Sequence, residues 1–124
     1  MASVPSYVGT PKSPTVTIST ANTALDGSGT LGTVMTAGAS GSRVDIIRLN
    51  AIATTTAGMI RLFIGTALVK EIPVIAITPS ATQPAWSADV EFENGLILEA
   101  AAVLKAGTEK AENFAVTVTN GGDF

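Results

Sequence analysis

Apolar and polar side chains alternate along most of this chain with a period of two, the repeat of a strand with one buried face. The alternation is cleanest in Gly58-Met-Ile-Arg-Leu-Phe-Ile-Gly65, which sets Ile60, Leu62 and Ile64 on one face and Met59, Arg61 and Phe63 on the other. A Gly65-Thr66 turn leads back through Ala67 to Ile77, a β-branched run with a single proline that suits an antiparallel partner. This hairpin is expected to supply two central strands. Upstream, Thr15 to Thr20 directs Val16 and Ile18 inward, and Leu31 to Thr36 makes a short strand. From Arg43 to Ala53, Val44 and Ile46 share one face while Ile47, Leu49 and Ala51 continue on the other. That slip of one residue requires a β-bulge or a strand crossing between sheets.

Downstream, Trp86 to Glu93 alternates with Val90 and Phe92 inward, and Asn94-Gly95 signals a turn. Between Leu96 and Gly107 two readings compete. Leu96 to Leu98 and Val103-Leu104 resemble strand halves, whereas Glu99-Ala-Ala-Ala102 favours a helix from Gly95 to Ala106. Two strands is the preferred reading. Phe114 to Thr119 closes the series with Phe114, Val116 and Val118 inward. About eight short strands at turn spacings of 8 to 12 residues predict a single-domain, all-β sandwich or jelly roll over residues 15 to 124. Residues 1 to 14, with Pro5, Pro11 and Pro14, predict an extended N-terminal arm held to its own domain or to a neighbour, with Tyr7 and Val8 as grip.

Composition narrows the chemistry. The 124 residues contain no Cys and no His, which leaves no disulfide, no thiolate nucleophile, no imidazole base and none of the usual zinc ligands. The absence of disulfides fits a reducing cytoplasm. Charged residues are 14%, against a usual quarter, and mean hydropathy is +0.42, so Thr, Ser, Asn, Ala and Gly must furnish much of the surface. Seven scattered Lys and Arg within a net charge of -3 lack the basic footprint of a nucleic-acid binder. Met1 to Thr10 has neither the basic start nor the apolar run of a secretory signal, and Ile72 to Ile77 is too short to span a bilayer.

The remaining candidates for chemistry are few. Gly27-Ser-Gly29 suggests a phosphate loop, but no Lys and no helix pattern follow it. Asp89, Glu91 and Glu93 line one strand face about 7 Å apart, a row that is more often a solvated face than a cation site. Carboxylates side by side on one exposed strand also lack the facing geometry of a glycosidase pair. No catalytic, cofactor or metal residues are therefore assigned, and the chain is expected not to be an enzyme. Arg61 between Met59 and Phe63 fits an interface anchor, or else a face covered by a second sheet or by the arm. The terminal Gly121-Gly-Asp-Phe124 matches a diguanylate cyclase loop in letters alone. It is read instead as a flexible glycine pair delivering Phe124 to a groove in this domain or a neighbour.

Several stretches together resemble a family of small structural proteins of tailed bacteriophages: Ser19-Thr-Ala-Asn-Thr23, Thr55-Thr-Ala-Gly-Met-Ile-Arg-Leu-Phe-Ile64, Glu71-Ile-Pro-Val74, Ile77-Thr-Pro-Ser-Ala-Thr82, Gly95-Leu-Ile-Leu98 and the closing Gly-Gly-Asp-Phe. The likeness runs from about Ser19 to Phe124. It implies a virion component, a capsid decoration or cement protein that sits on the capsid surface after assembly in the host cytoplasm. The implied partners are the major capsid protein and further copies of the chain, as a homotrimer. Under that reading Tyr7, Met59, Arg61, Phe63 and Phe124 are the contact residues. A receptor- or glycan-binding jelly-roll head of a phage fibre is the alternative, with Trp86 as its aromatic platform.

Overall fold

The computed structural model describes residues 8 to 124, with Asn94 through its backbone alone. These residues form nine strands and no helix: β1 (Thr10–Pro11), β2 (Thr15–Ile18), β3 (Gly32–Thr36), β4 (Ser42–Ala51), β5 (Gly58–Ile64), β6 (Ala67–Val74), β7 (Ser87–Leu98), β8 (Val103–Thr108) and β9 (Phe114–Asp123). Two antiparallel sheets result. One has the order β1-β9-β4-β7, with β2 joining β1 along the same edge of β9, and the other has the order β3-β8-β5-β6. The pairing is nested: β2 with β9, β3 with β8, β4 with β7, and β5 with β6. The chain is thus a β-sandwich, and residues 96 to 107 are two strands.

Alternation fills the space between the sheets. Val44, Ile47, Leu49, Val116 and Val118 from one sheet meet Ile60, Leu62, Leu104 and Ala106 from the other, each of them at 0% exposure. Burying a Val, Leu or Ile side chain fully is worth about 1.5–3 kcal/mol, so these rows dominate the folding free energy. Trp86 and Phe114 seal one end of the core edge to face, with centroids 5.8 Å apart at 88°.

The apolar slip in β4 is a bulge within one sheet. Val44 and Ile47 both face inward although three residues apart, because Asp45 is unpaired against β9 and Thr119 is then skipped on the β9 side. The Asn94-Gly95 signal acts differently from the expectation. It does not end the strand; residues 92 to 95 bow out of β7 opposite the single Asp45, with Gly95 at φ 80° beneath the Arg43–Asp45 ion pair.

A second correction concerns the organising hairpin, of which only β5 is central. β6 is the edge of its sheet, and Pro73 explains why: proline donates no ladder hydrogen bond and is tolerated where one strand side is unpaired. A third concerns the chain end. Gly121 and Gly122 are not a flexible tether but buried, paired positions of β9. A Cβ on Gly122 would lie 2.2 Å from the Thr10 carbonyl oxygen, and one on Gly121 would lie 2.6 Å from that of Arg43. Glycine is what lets three strands approach there.

Between β7 and β8 the chain turns through Glu99 to Ala102, closed by the Ala102 amide donating to the Glu99 carbonyl at 3.0 Å. Ala101 takes φ 64° in this turn, the only non-glycine residue at positive φ among those described. A left-handed residue bearing a Cβ costs about 1–2 kcal/mol, partly offset by the greater unfolded-state freedom of glycine. Ala101→Gly is therefore expected to raise stability by about 0.5–1 kcal/mol, read as a higher denaturant midpoint with an unchanged slope.

Candidate interaction surfaces

Met59, Arg61 and Phe63 do share the outer face of their sheet, since Arg61 lies opposite Gly107 and Phe63 opposite Lys105 in register. That face is covered. The segment between β2 and β3 starts beside Thr108, where Ala21 forms a parallel bridge, and runs to the far end of β5, where Gly27 abuts Thr66. It then returns so that Leu31 packs over Gly107. Phe63 lies beneath it at 1% exposure, outside the cluster between the sheets, and presents nothing to a partner. Among the described residues the cover is this loop, not a second sheet.

Asn22 holds the loop in shape. Its side-chain amide donates to the carbonyls of Ser28 at 2.9 Å and Thr30 at 3.0 Å, while its oxygen accepts from the Ala24 amide at 2.9 Å. Asp26 turns the tip by accepting from both the amide and the hydroxyl of Ser28, which holds its carboxyl below the usual carboxylate range. Gly27 and Gly29 at positive φ thus serve a folded cover, and no helix follows them to make a phosphate site.

Arg61 is 12% exposed and anchored within the molecule, by Glu71 at 3.1 Å and by Glu109 at 3.5 Å, on the rim of the same face. Met59 is half-buried, and its carbonyl accepts from the Glu109 amide at 2.9 Å. Phe124 is half-buried against Gly41, with its amide donating to the Gly41 carbonyl at 3.2 Å. Tyr7 lies outside the described residues. Trp86 is 5% exposed, its ring spent on Phe114, so no stacking platform stands at that position. The four of these residues that are described, Met59, Arg61, Phe63 and Phe124, do not form one open surface.

The acidic row on β7 also disperses. Asp89 pairs with Arg48 across to β4 at 2.9 Å, and the guanidinium hydrogen bond, with its charge, draws the Asp89 carboxyl below its ordinary range. Glu91 and Glu93 are exposed along a strand whose other edge is unpaired within the sheet, where charge discourages edge-to-edge pairing. Among the described residues no group of three or more acidic side chains is placed to hold a metal. A concavity of about 160 Å³ beside β2 is lined by hydroxyls, aliphatics and backbone, with no ionisable group.

What the molecule does expose is aliphatic. Ile52 is 59% and Ile75 60% exposed, on the two loops that follow β4 and β6. Thr55, itself 2% exposed, ties these loops together. Its hydroxyl donates to the Ile75 carbonyl at 2.8 Å and accepts from the Ile77 amide at 3.2 Å, and its amide donates to the Ile77 carbonyl at 3.0 Å. The Ile52 amide donates to the Asn113 carbonyl at 3.1 Å, which braces the same end against the loop before β9. Two β-branched residues are therefore held rigidly in solvent, as an interface residue is before binding. Parity offered a clue to them: each stands one residue beyond an inward position, Ala51 or Val74, and so on the outward side.

The second built feature joins the two chain ends. The Gly9 amide donates to the Asp123 carbonyl and the Lys12 amide to the Gly121 carbonyl, both at 2.9 Å. The Asp123 carboxylate is paired with the Lys12 ammonium and accepts from the Ser42 hydroxyl at 2.6 Å. Lys12 first, and Ser42 next, hold that carboxyl below its ordinary range. The described part of the arm is thus pinned to its own domain along β9. Comparison of the chain with protein-family models, with curated proteins and with solved structures finds no match.

Two outcomes follow from this geometry. Asn22→Ala removes three hydrogen bonds made by a buried side chain and is expected to lower stability by about 1–3 kcal/mol, read by chemical denaturation, with faster protease cleavage between residues 22 and 30. Because the folded-state pKa of Asp123 lies below the ordinary 3.8, its contribution is full above that pH and is lost as the pH falls through the depressed value. The protection factors of the Gly9 and Lys12 amides, with the intrinsic slowing of exchange in acid divided out, are expected to fall below about pH 4 before those of Val116 and Val118 do; simultaneous loss would show that the ion pair does not hold the segment.

Proposed function

We propose that this chain is a virion structural protein of a tailed bacteriophage, a capsid decoration (cement) protein that binds the major capsid shell as a homo-oligomer, with a trimer as the expected state. The observation that carries the reading is the rigid presentation of Ile52 and Ile75 on stitched loops, in a sandwich whose commonest exposed strand residue is Thr. The resemblance between Ser19 and Phe124 names the class of partner. The nested pairing of β2 to β9 supports assigning the sandwich a jelly-roll winding, a double-sheet fold used by capsid proteins.

On this reading adhesion is the whole mechanism. A low-charge surface loses little solvation free energy on docking, and each exposed isoleucine buried in a shell pocket contributes about 1.5–3 kcal/mol. A symmetric oligomer repeats the contact, so modest single-site affinities multiply into tight retention.

Image reconstruction of the parent particle is expected to place density for this chain on the outer shell, and native mass spectrometry is expected to find an oligomer. Ile52→Asp with Ile75→Asp should leave the unfolding midpoint nearly unchanged and weaken co-sedimentation with shells at least about tenfold. Unchanged retention of the double variant, or absence of the chain from purified particles, overturns the reading.

A further inference from the structure

The dipeptide Asn-Gly occurs twice in the chain, at 94-95 and at 120-121, and the fold treats the two copies in opposite ways. This dipeptide carries a reaction of its own. The glycine amide nitrogen, shielded by no Cβ, attacks the side-chain carbonyl carbon of the asparagine wherever the backbone is free to bring the two atoms to near-attack distance. A C–N bond forms and closes a succinimide ring, the bond to the side-chain nitrogen breaks, and ammonia leaves with the amide proton. Water then opens the ring at either carbonyl, giving aspartate or isoaspartate, with no oxidant or reductant involved.

Asn120 and Gly121 are held against this chemistry. They lie opposite Ile46 and Val44 of β4, and on the other side of β9 the Gly121 carbonyl accepts from the Lys12 amide at 2.9 Å. Gly121 is buried, and a Cβ on it would lie 2.6 Å from the Arg43 carbonyl oxygen, so its backbone has no room to bend. Ring closure at Asn120 requires local opening of paired strand.

Asn94 and Gly95 stand in the bow of β7. Register with β4 passes from Glu91 opposite Ile46 to Leu96 opposite Val44, and none of residues 92 to 95 has a β4 partner. The far side of β7 is the open edge of its sheet. Glycine is required here by geometry, since Gly95 takes φ 80° and a Cβ would fall 2.5 Å from Arg43 Nε and 2.7 Å from Asp45 Oδ1. The bow therefore demands the residue that leaves its own backbone nitrogen least shielded, and it holds that residue by no ladder.

We propose that Asn94 deamidates spontaneously in the folded protein and that Asn120 is protected from the same reaction. The product replaces a neutral amide by a carboxylate one position from Glu93, on a strand where Glu91 and Glu93 are already exposed. An isoaspartyl link lengthens the backbone, which would throw a paired strand out of register, but residues 92 to 95 have no register to lose. The aged molecule stays folded and carries one more negative charge on the free edge of β7, where charge opposes edge-to-edge pairing.

The full-length chain is aged at neutral pH, native and in concentrated urea, and followed by ion exchange and peptide mass mapping. Native protein is expected to move to a species one charge more negative than -3, with a mass gain of about 1 Da in the peptide containing Asn94. Asn120 is expected to convert at least about tenfold more slowly in the native state, and at a rate comparable to Asn94 in urea, where neither ladder nor bow survives. Native conversion at Asn94 no faster than at Asn120 overturns the proposal. Asn94→Asp is expected to abolish the new charge species on ageing and to unfold at the unsubstituted midpoint; a charge species that still forms in this variant at the same rate overturns the assignment to Asn94.

Discussion

The aliphatic row on β4 is what the remainder of the molecule is arranged to preserve. This strand lies inside its sheet between β9 and β7, and its Val44, Ile47 and Leu49 face the opposite sheet at 0% exposure. The row would break if β4 were regular, because Val44 and Ile47 have opposite parity. The unpaired Asp45 resolves the conflict, and both neighbours adapt to it: β9 skips Thr119, and β7 bows out over residues 92 to 95. A local irregularity has thus been propagated through three strands to keep one apolar layer continuous. The cost of leaving Val44 or Ile47 in water exceeds that of a disturbed ladder.

The same constraint decides which surfaces are free. Once β5 and β8 deliver Ile60, Leu62, Leu104 and Ala106 to the core, their odd positions must point out, and Phe63 would stand in solvent. The loop from Ser19 to Leu31 removes it from water, at the expense of ordering a glycine-rich segment through Asn22 and Asp26. Among the described residues nothing comparable covers Ile52 and Ile75, although the loops bearing them are as firmly hydrogen-bonded. Apolar exposure on an ordered scaffold is costly unless something else buries it.

The strand β9 carries the other unusual feature. β9 is satisfied along one side by β4 for nearly its whole length, and on the other it accepts β2 and then the separate, lightly held β1. Glycines at 121 and 122 admit close passage of backbone, and the carboxylate at 123 selects a cation. Hydrogen bonds and one ion pair with little apolar burial make a contact that is specific but not strong.

Most strand positions and inward faces, a change of parity in β4 and the absence of imidazole and thiol chemistry were legible in the chain itself, because period-two alternation and residue inventory are local properties; that the parity change is a bulge at Asp45 was not. The amino-acid order also carried the Asn-Gly and Gly-Gly signals, but not their outcome. Neighbouring strands supply hydrogen bonds that turn one into a bow within β7 and the other into paired strand. Whether Phe63 was covered, whether Pro73 sat at an edge, and which isoleucines stayed in water depended on contacts between residues dozens of positions apart. Only the tertiary structure decided these, since burial belongs to the packing of two sheets and a crossing loop, and no single strand contains it.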